Sequence, residues 1–253
     1  MEAGRHLLAL ETSGKSGSVA IATSRSDGSL VIEQEVLAPE WGSARTLAPA
    51  IADLLNRQQL TPRRLDAIAV VQGPGSFTGL RVGAATAKTM AWALGIPLIA
   101  VDALDCVAHQ VRDNFSLSDR KLSLIVVSDA YRGQVFRAIY QPGLTGLSIA
   151  ELTAIEDIDS LLGRCAKLRD REWILAGPGL GKILKKFEEK PNALAHLFVK
   201  TIEGPESIPM ASTVAQLGWE SWGRGETVEV LSFLPRYYRG SAAEEKQKGL
   251  VGD

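Results

Sequence analysis

The chain has 253 residues, of which 45% are hydrophobic and 23% are charged. These fractions are typical of globular proteins and exclude a wholly disordered chain, and this length can bury one large core or two smaller ones. The formal net charge of −1 argues against a protein that holds nucleic acid across a broad basic face.

The apolar runs of the chain are short. Runs such as residues 7–10 and 68–71 contain four residues each, whereas a membrane-spanning helix needs about 20 apolar residues. The N-terminus has too few apolar residues for a signal peptide. The two cysteines, Cys106 and Cys165, form neither a CxxC pair nor a disulfide framework. We therefore expect a soluble, reduced, cytoplasmic protein with no membrane association.

The first hundred residues predict a mixed sheet. Short apolar or β-branched runs predict strands at 6–10, 18–23 and 30–37, and Asp27-Gly28-Ser29 is a hairpin signal between the last two. Apolar residues at helical spacing then predict helices at 44–57 and 76–94, which alternate with buried strands at 65–71 and 97–101. A meander of three antiparallel strands followed by helix-strand alternation is typical of a mixed sheet covered by helices.

The second half begins like the first. We expect a helix at 103–111, a loop at 114–120, and a hairpin formed by strands 122–127 and 134–140. Further elements are a helix at 155–165, a strand at 173–176 and helices at 180–189 and 212–223, with Ser212 as the N-cap of the last. The predicted division is an N-terminal lobe at 1–102, a C-terminal lobe at 103–240 whose late helix packs back on the first lobe, and a flexible tail at 241–253.

Two glycine-rich turns leave buried strands and open helices. The first is GPGSFTGLRVG at 73–83, and the second is GPGLG at 177–181. Free N–H groups at a helix start favour anions, although the first spacing is not GxGxxG and Ser76 can simply cap the helix. Gly14-Lys15-Ser16 lacks the upstream glycine and the following helix of a P-loop.

Small residues recur every four positions along the second helix, at Gly79, Gly83, Ala87 and Ala91. Such a stripe allows another backbone to come close. Because glycine costs about 1 kcal/mol in a helix interior, we expect a close contact to offset that cost. The contact is either the chain's own sheet or first helix, or a helix of another subunit.

Carboxylates end the first strand of each predicted lobe. Glu11 stands before Thr12 and Ser13, and Asp129 ends the strand at 122–127. If the lobes face one another, both carboxylates can hold a magnesium nucleotide together with Gly177 and Gly179; alternatively, each caps a turn. The histidines are isolated, so we assign no metal site. Arg236-Tyr237-Tyr238-Arg239 has the composition of a base-stacking site or of an ordinary edge strand.

Several of these segments resemble the TsaB (YeaZ) family. They are LALETS at 8–13 with SVA at 18–20, GPGSFTGLRVG at 73–83, SDAYRGQVF at 128–136 and PRYYR at 235–239. The resemblance runs from about residue 7 to 239, and the block at 73–83 is its most specific part. It implies an α/β chain with the actin-like ATPase (ASKHA) fold, in which two ribonuclease-H-like lobes have mixed sheets.

The resemblance also implies a role without catalysis. Members of the family pair with the catalytic paralogue TsaD and, with a TsaE-like ATPase, form N6-threonylcarbamoyladenosine at adenosine 37 of tRNAs that read ANN codons. TsaD holds its metal with an HxxxH motif whose positions correspond here to Ala103 and Val107, which cannot bind metal. We therefore expect no catalytic residue, metal or cofactor, and contact with tRNA only through the complex.

The family's pairing surface is formed by the two helices of the first lobe. The residues that this implies here, on helices 44–57 and 76–94, are Leu47, Ile51, Leu54, Gly79, Gly83, Ala87, Met90 and Ala91. Without the partner, the same surface would form a two-fold homodimer. A vestigial nucleotide cleft would comprise Glu11, Thr12, Ser13, Asp129, Gly177 and Gly179. The alternatives are an independent ATP-dependent phosphotransferase, which Glu11, Asp129 and the turn at 177–181 favour, a peptidase-like hydrolase, and a tRNA-binding module that acts alone.

Overall fold

The structure, a computed structural model, describes residues 4–38, 42–114, 122–143, 146–168, 171–189 and 197–238. Its first part is a five-stranded sheet with two helices. The elements are β1 His6–Glu11, β2 Ser18–Ser24, β3 Leu30–Val36, α1 Ser43–Arg57, β4 Ala67–Gly73, α2 Phe77–Leu94 and β5 Leu98–Asp102. The strand order is β3-β2-β1-β4-β5. Strands β1 to β3 are antiparallel, and β1, β4 and β5 are parallel, which confirms the predicted meander and the helix-strand alternation.

Helices cover both faces of this sheet, which explains why β1 and β4 are apolar at nearly every position. Successive strand residues point to opposite faces. Leu8 and Leu10 pack toward α1 and α2, whereas Leu7 and Ala9 pack on the other face against the last helix of the chain, Ala211–Gly223. That helix lies so close that a Cβ on Gly218 would come 2.5 Å from Cβ of Ala69.

The second sheet repeats the arrangement of the first. Its elements are α3 Ala103–Asn114, β6 Leu122–Asp129, β7 Gln134–Gly143, β8 Gly146–Asp157, α4 Ile158–Lys167, β9 Glu172–Ala176, α5 Leu180–Glu189 and β10 Phe198–Ile202. The chain continues with α6 Ala211–Gly223, the helix that packs on the first sheet. The order is β10-β9-β6-β7-β8, with β6 to β8 antiparallel and β6, β9 and β10 parallel. The expected echo between the two halves is therefore a full repeat of the sheet topology.

In the second half, two sequence predictions were wrong and two strands were missed. Residues 155–157 end the strand β8 and do not begin a helix, because α4 starts only after Asp157, whose Oδ1 accepts a hydrogen bond from the N–H of Asp159 at 3.0 Å. Strands β8 and β10 were not predicted. Ser212 is not the N-cap of the last helix; that position is Met210, and the N–H of Ser212 donates to Oε1 of Gln34 at 2.7 Å.

The structure also places Pro49, but it leaves most of the predicted loop and all of the predicted tail undescribed. Pro49 lies inside α1, where a proline removes a backbone hydrogen bond. The loop predicted at 114–120, apart from its first residue, and the tail predicted at 241–253 lie outside the described residues, as does Arg239. Among the described residues, no helix combines the length and the apolar character that crossing a membrane requires.

Candidate docking face and strand ends

The end of β1 lies deep inside the molecule. Glu11 and Thr12 are fully buried, and Ser13 is 7% exposed. The N–H and hydroxyl of Ser13 both donate to Oε1 of Glu11, while Oε2 of Glu11 and Oγ1 of Thr12 have no hydrogen-bond partner among the described residues. Burial raises the pKa of Glu11 to about 7, although hydrogen bonds from Ser13 and Gly14 oppose the rise. A neutral carboxyl group suits this site better than a carboxylate.

The first glycine-rich turn and α2 cover this strand end directly. The N–H of Ser76 donates to the carbonyl of Ser13 at 2.7 Å, and Oγ of Ser76 accepts from the N–H of Gly79, which confirms Ser76 as the helix N-cap. A Cβ on Gly79 would lie 2.0 Å from the carbonyl oxygen of Thr12, and one on Gly83 would lie 2.3 Å from its Oγ1. The glycines therefore allow α2 to touch the chain's own β1.

The second glycine-rich turn also packs directly against the end of a strand. The N–H of Gly179 donates to the carbonyl of Val127 at 2.9 Å, and a Cβ on Gly177 would lie 2.2 Å from that carbonyl oxygen. Asp129, at the end of β6, accepts from the N–H of Tyr131 at 2.8 Å, and its Oδ2 lies 3.5 Å from Nζ of Lys182. Both turns thus use their close backbone approach for packing on the neighbouring strand.

A small polar cavity of about 80 Å³ lies at the carboxyl end of β5, where the first sheet meets β7 and β8. It is lined by Gln72, Asp102, Asp105, Ala138, Ile149, Leu152, Thr153 and Arg236. Asp102 caps α3 through the N–H of Leu104 and also accepts hydrogen bonds from the hydroxyls of Thr153 and Tyr238. Burial, followed by the nearby Asp105, raises the pKa of Asp102 to about 6.

This cavity differs from the predicted nucleotide cleft. Neither Glu11 nor Asp129 lines it, and sequence reasoning missed Asp102 and Asp105. The one available signal was the position of Asp102, an acidic residue between a buried strand and a helix, as at a helix N-cap. Its contact with Tyr238, 136 residues away, has no local sequence signal.

The described residues offer no group of three or more His, Cys, Asp and Glu side chains that could hold a metal ion. Ala103 and Val107, the positions that the resemblance relates to the metal-binding histidines of TsaD, are 2% and 0% exposed within α3. They pack in the cores of the molecule, Ala103 with the first sheet and Val107 with the second.

The outward side of α1 and α2 has a different character. Between the two helices lies an apolar groove of about 500 Å³, which is lined by Ala48, Ile51, Ala52, Leu55, Pro62, Ala85, Thr86, Thr89 and Met90. Charged side chains are absent from this lining. Ala48 and Ala52 on α1, and Ala85 and Thr89 on α2, are exposed. An uncharged concave surface of this size is characteristic of a binding site.

The structure divides the eight residues expected at a docking edge into two sets. Ile51 and Met90 line the groove. The other six, Leu47, Leu54, Gly79, Gly83, Ala87 and Ala91, are buried within the chain's own fold. Because their side of each helix faces the first sheet, the stripe of small residues serves internal packing, and these six do not form part of the exposed surface.

Comparisons with known proteins agree with this architecture. Residues 41–189 match the family described as TsaD, tRNA N6-adenosine threonylcarbamoyltransferase. A Bacillus subtilis protein named tRNA threonylcarbamoyladenosine biosynthesis protein TsaB is 37% identical over 95% of this chain and 96% of its own length. The Escherichia coli protein of the same name is 28% identical over 96% and 98%, respectively.

Two solved structures from Pseudomonas aeruginosa share the fold. One is described as YeaZ, with a TM-score of 0.72 and 28% identity over 92% of this chain and 99% of its own. The other is described as similar to peptidase YEAZ, with a TM-score of 0.73 and 28% identity over 93% and 100%. With the two mixed sheets, these likenesses confirm the expected actin-like α/β fold.

Proposed function

Because the chain belongs to the TsaB family, we propose that it is a non-catalytic subunit in the formation of threonylcarbamoyladenosine in tRNA and that it pairs with a TsaD-type protein. The observation that carries the pairing is the groove between α1 and α2. In the absence of the partner, two copies of the chain would pair through the same face. The TsaE-like ATPase and the tRNA that the resemblance implies remain predictions.

The chemistry of the groove suits helices of a partner. Its exposed positions carry alanine and threonine, and small residues at a contact bring helix axes toward the short end of the usual 8–10 Å spacing. Ile51, Leu55 and Met90 supply apolar surface at the base of the groove. Two helices of a partner laid on this face would complete a four-helix contact.

Two further observations support a role without catalysis. The strand ends that would hold a nucleotide are filled by the chain's own backbone at Gly79, Gly177 and Gly179. The polar cavity at the end of β5 measures about 80 Å³, whereas ligand pockets usually measure about 300–1,000 Å³.

The pairing is tested by placing a charge on the exposed face. Ala52→Arg and Ala85→Arg each put a guanidinium into an apolar helix contact, so each should weaken co-elution with the TsaD-type protein in size-exclusion chromatography at least tenfold in apparent Kd. Ala166→Arg, on the exposed side of α4, is the matched control. All three should keep their unfolding free energy within about 0.5 kcal/mol.

The result has two clear readings. If wild-type chain and TsaD-type protein do not co-elute at micromolar concentration, the pairing is wrong. If they co-elute and both groove variants pair as well as Ala166→Arg, the partner uses another face.

A further inference from the structure

We propose that a ridge beside the docking groove contacts an unpaired segment of the tRNA. The ridge consists of Phe77, Arg81, Lys88 and Trp92 on α2 together with Tyr237, and this inference rests on the proposed function. Arg81, Lys88 and Trp92 are separated by seven and four residues, so they lie on one face of the helix, about 16 Å from first to last.

The chain's last described segment, residues 226–238, lies along this face. The N–H of Val228 donates to the carbonyl of Leu98 just beyond the C-terminal end of α2. Further on, the carbonyl of Phe233 accepts from Nζ of Lys88 at 3.4 Å, and Tyr237 reaches the first turn of α2. Helix and segment therefore form one continuous surface.

Aromatic and cationic groups stack at one end of this surface. The rings of Phe77 and Tyr237 lie 4.9 Å apart between centroids. The guanidinium carbon of Arg81 lies 3.8 Å from the Phe77 centroid, and its Nε donates to the Tyr237 hydroxyl at 3.3 Å. These contacts fix the planar guanidinium while Arg81 stays exposed. A fixed guanidinium plane beside an aromatic ring is a stacking platform for a nucleobase.

Charge favours RNA as the occupant. Arg57, Arg137, Arg164 and Arg224 each form an ion pair with a glutamate. Within the part of the chain that the structure describes, neither Arg81 nor Lys88 has a carboxylate at ion-pair distance. Glu229 is the acidic group near Lys88, and its oxygens accept from the N–H groups of Leu231 and Ser232. Arg81, which has no carboxylate at ion-pair distance among the described residues, and Lys88, whose neighbour Glu229 already accepts from backbone N–H groups, are cations that suit phosphates.

The far end of the ridge adds a second stacking surface. Trp92 is 66% exposed there, although tryptophan is highly buried on average. Basic groups interleaved with exposed aromatic rings are the pattern by which proteins bind single-stranded nucleic acid without reading sequence.

The test uses the assembled complex of the chain with its TsaD-type partner and a fluorescently labelled tRNA. Fluorescence anisotropy at several salt concentrations gives the Kd and its salt dependence. Arg81→Ala with Lys88→Ala should weaken binding about tenfold and reduce the slope of log Kd against log salt by roughly 1 to 2. Trp92→Ala should weaken binding about fivefold or more through lost stacking. Arg25→Ala and Val199→Ala change exposed residues elsewhere and serve as controls.

The outcomes separate the two proposals. If the variants assemble normally and bind tRNA like the controls, the ridge does not contact RNA. If Trp92→Ala or the double variant instead prevents assembly, the ridge is a protein contact, and the RNA assignment is overturned. Failure of the wild-type chain to pair with the TsaD-type protein at all counts against the proposed function and is seen before any tRNA is added.

Discussion

The inner and outer sides of α2 both carry small residues, but the inner side packs within the fold and the outer side borders an open groove. On the inner side, Gly79 and Gly83 leave no room even for a Cβ because the backbone and side chain of Thr12 lie against them. On the outer side, Ala85 and Thr89 border an open apolar groove. Small size permits close approach in both places, but the approaching group is the chain's own strand in one case and, as we propose, a partner helix in the other.

The largest expected effect comes from breaking the inner side. Gly79→Ala would place a Cβ 2.0 Å from the carbonyl oxygen of Thr12, so α2 or β1 has to move. We expect a loss of roughly 3 kcal/mol in unfolding free energy, measured by urea denaturation, although alanine is the better helix former.

The matched control for this change is Gly163→Ala in the interior of α4, where a Cβ would meet nothing within 4 Å. It should raise the unfolding free energy by about 0.5–1 kcal/mol. Equal effects of the two changes would show that contact with Thr12 is not the reason for glycine at position 79.

A smaller effect on stability is expected from the carboxyl group of Glu11, which precedes Thr12 on the inner side of α2. The pKa of Glu11 is raised from 4.5 to about 7, so the folded chain keeps a proton that the unfolded chain loses as pH rises from 4.5 to 7. This group therefore stabilises the fold fully below pH 4.5, and its contribution is lost as pH rises to 7.

Glu11→Gln removes this titration and can still accept hydrogen bonds from Ser13. Relative to wild type, the variant should gain roughly 2–3 kcal/mol between pH 4.5 and pH 8, as measured by denaturation at each pH. Asp102, whose pKa is about 6, titrates in both proteins and cancels from the difference. Parallel curves of stability against pH would mean that folding does not shift the pKa of Glu11.

Much of the fold can be predicted from the sequence because its signals are local. The apolar runs at β1, β4 and β5, the hairpin at Asp27–Ser29 and the cap at Ser76 depend on neighbouring residues, and the structure agrees with them. The strand β8 was missed. Residues 147, 149, 152 and 154 are apolar or small, and within each pair they stand two positions apart, which is the spacing of one face of a strand. The sequence interpretation placed the change from strand spacing to helical spacing at residue 155, whereas the strand continues to Asp157.

The site was harder to predict because it depends on which way a helix faces. Ala87 and Ala91 belong to the inner side of α2, while Ala85 and Met90 belong to the outer side, and helical spacing alone does not distinguish the two. The glycines could have distinguished the two sides. Glycine inside a helix is tolerated where another backbone comes closest, and here that backbone is the end of β1. The groove itself combines residues from two helices and from Pro62, which no single motif connects.

The central claim, that the outer face of α1 and α2 serves the formation of threonylcarbamoyladenosine, is tested most directly in cells that lack this chain. The cells are complemented with wild type, with Ala52→Arg plus Ala85→Arg, or with Ala166→Arg, and the threonylcarbamoyladenosine content of their tRNA is measured by mass spectrometry. We predict that the wild type and Ala166→Arg restore the modified nucleoside, while the groove variant restores less than a tenth. Full restoration by the groove variant at equal protein level would contradict the account.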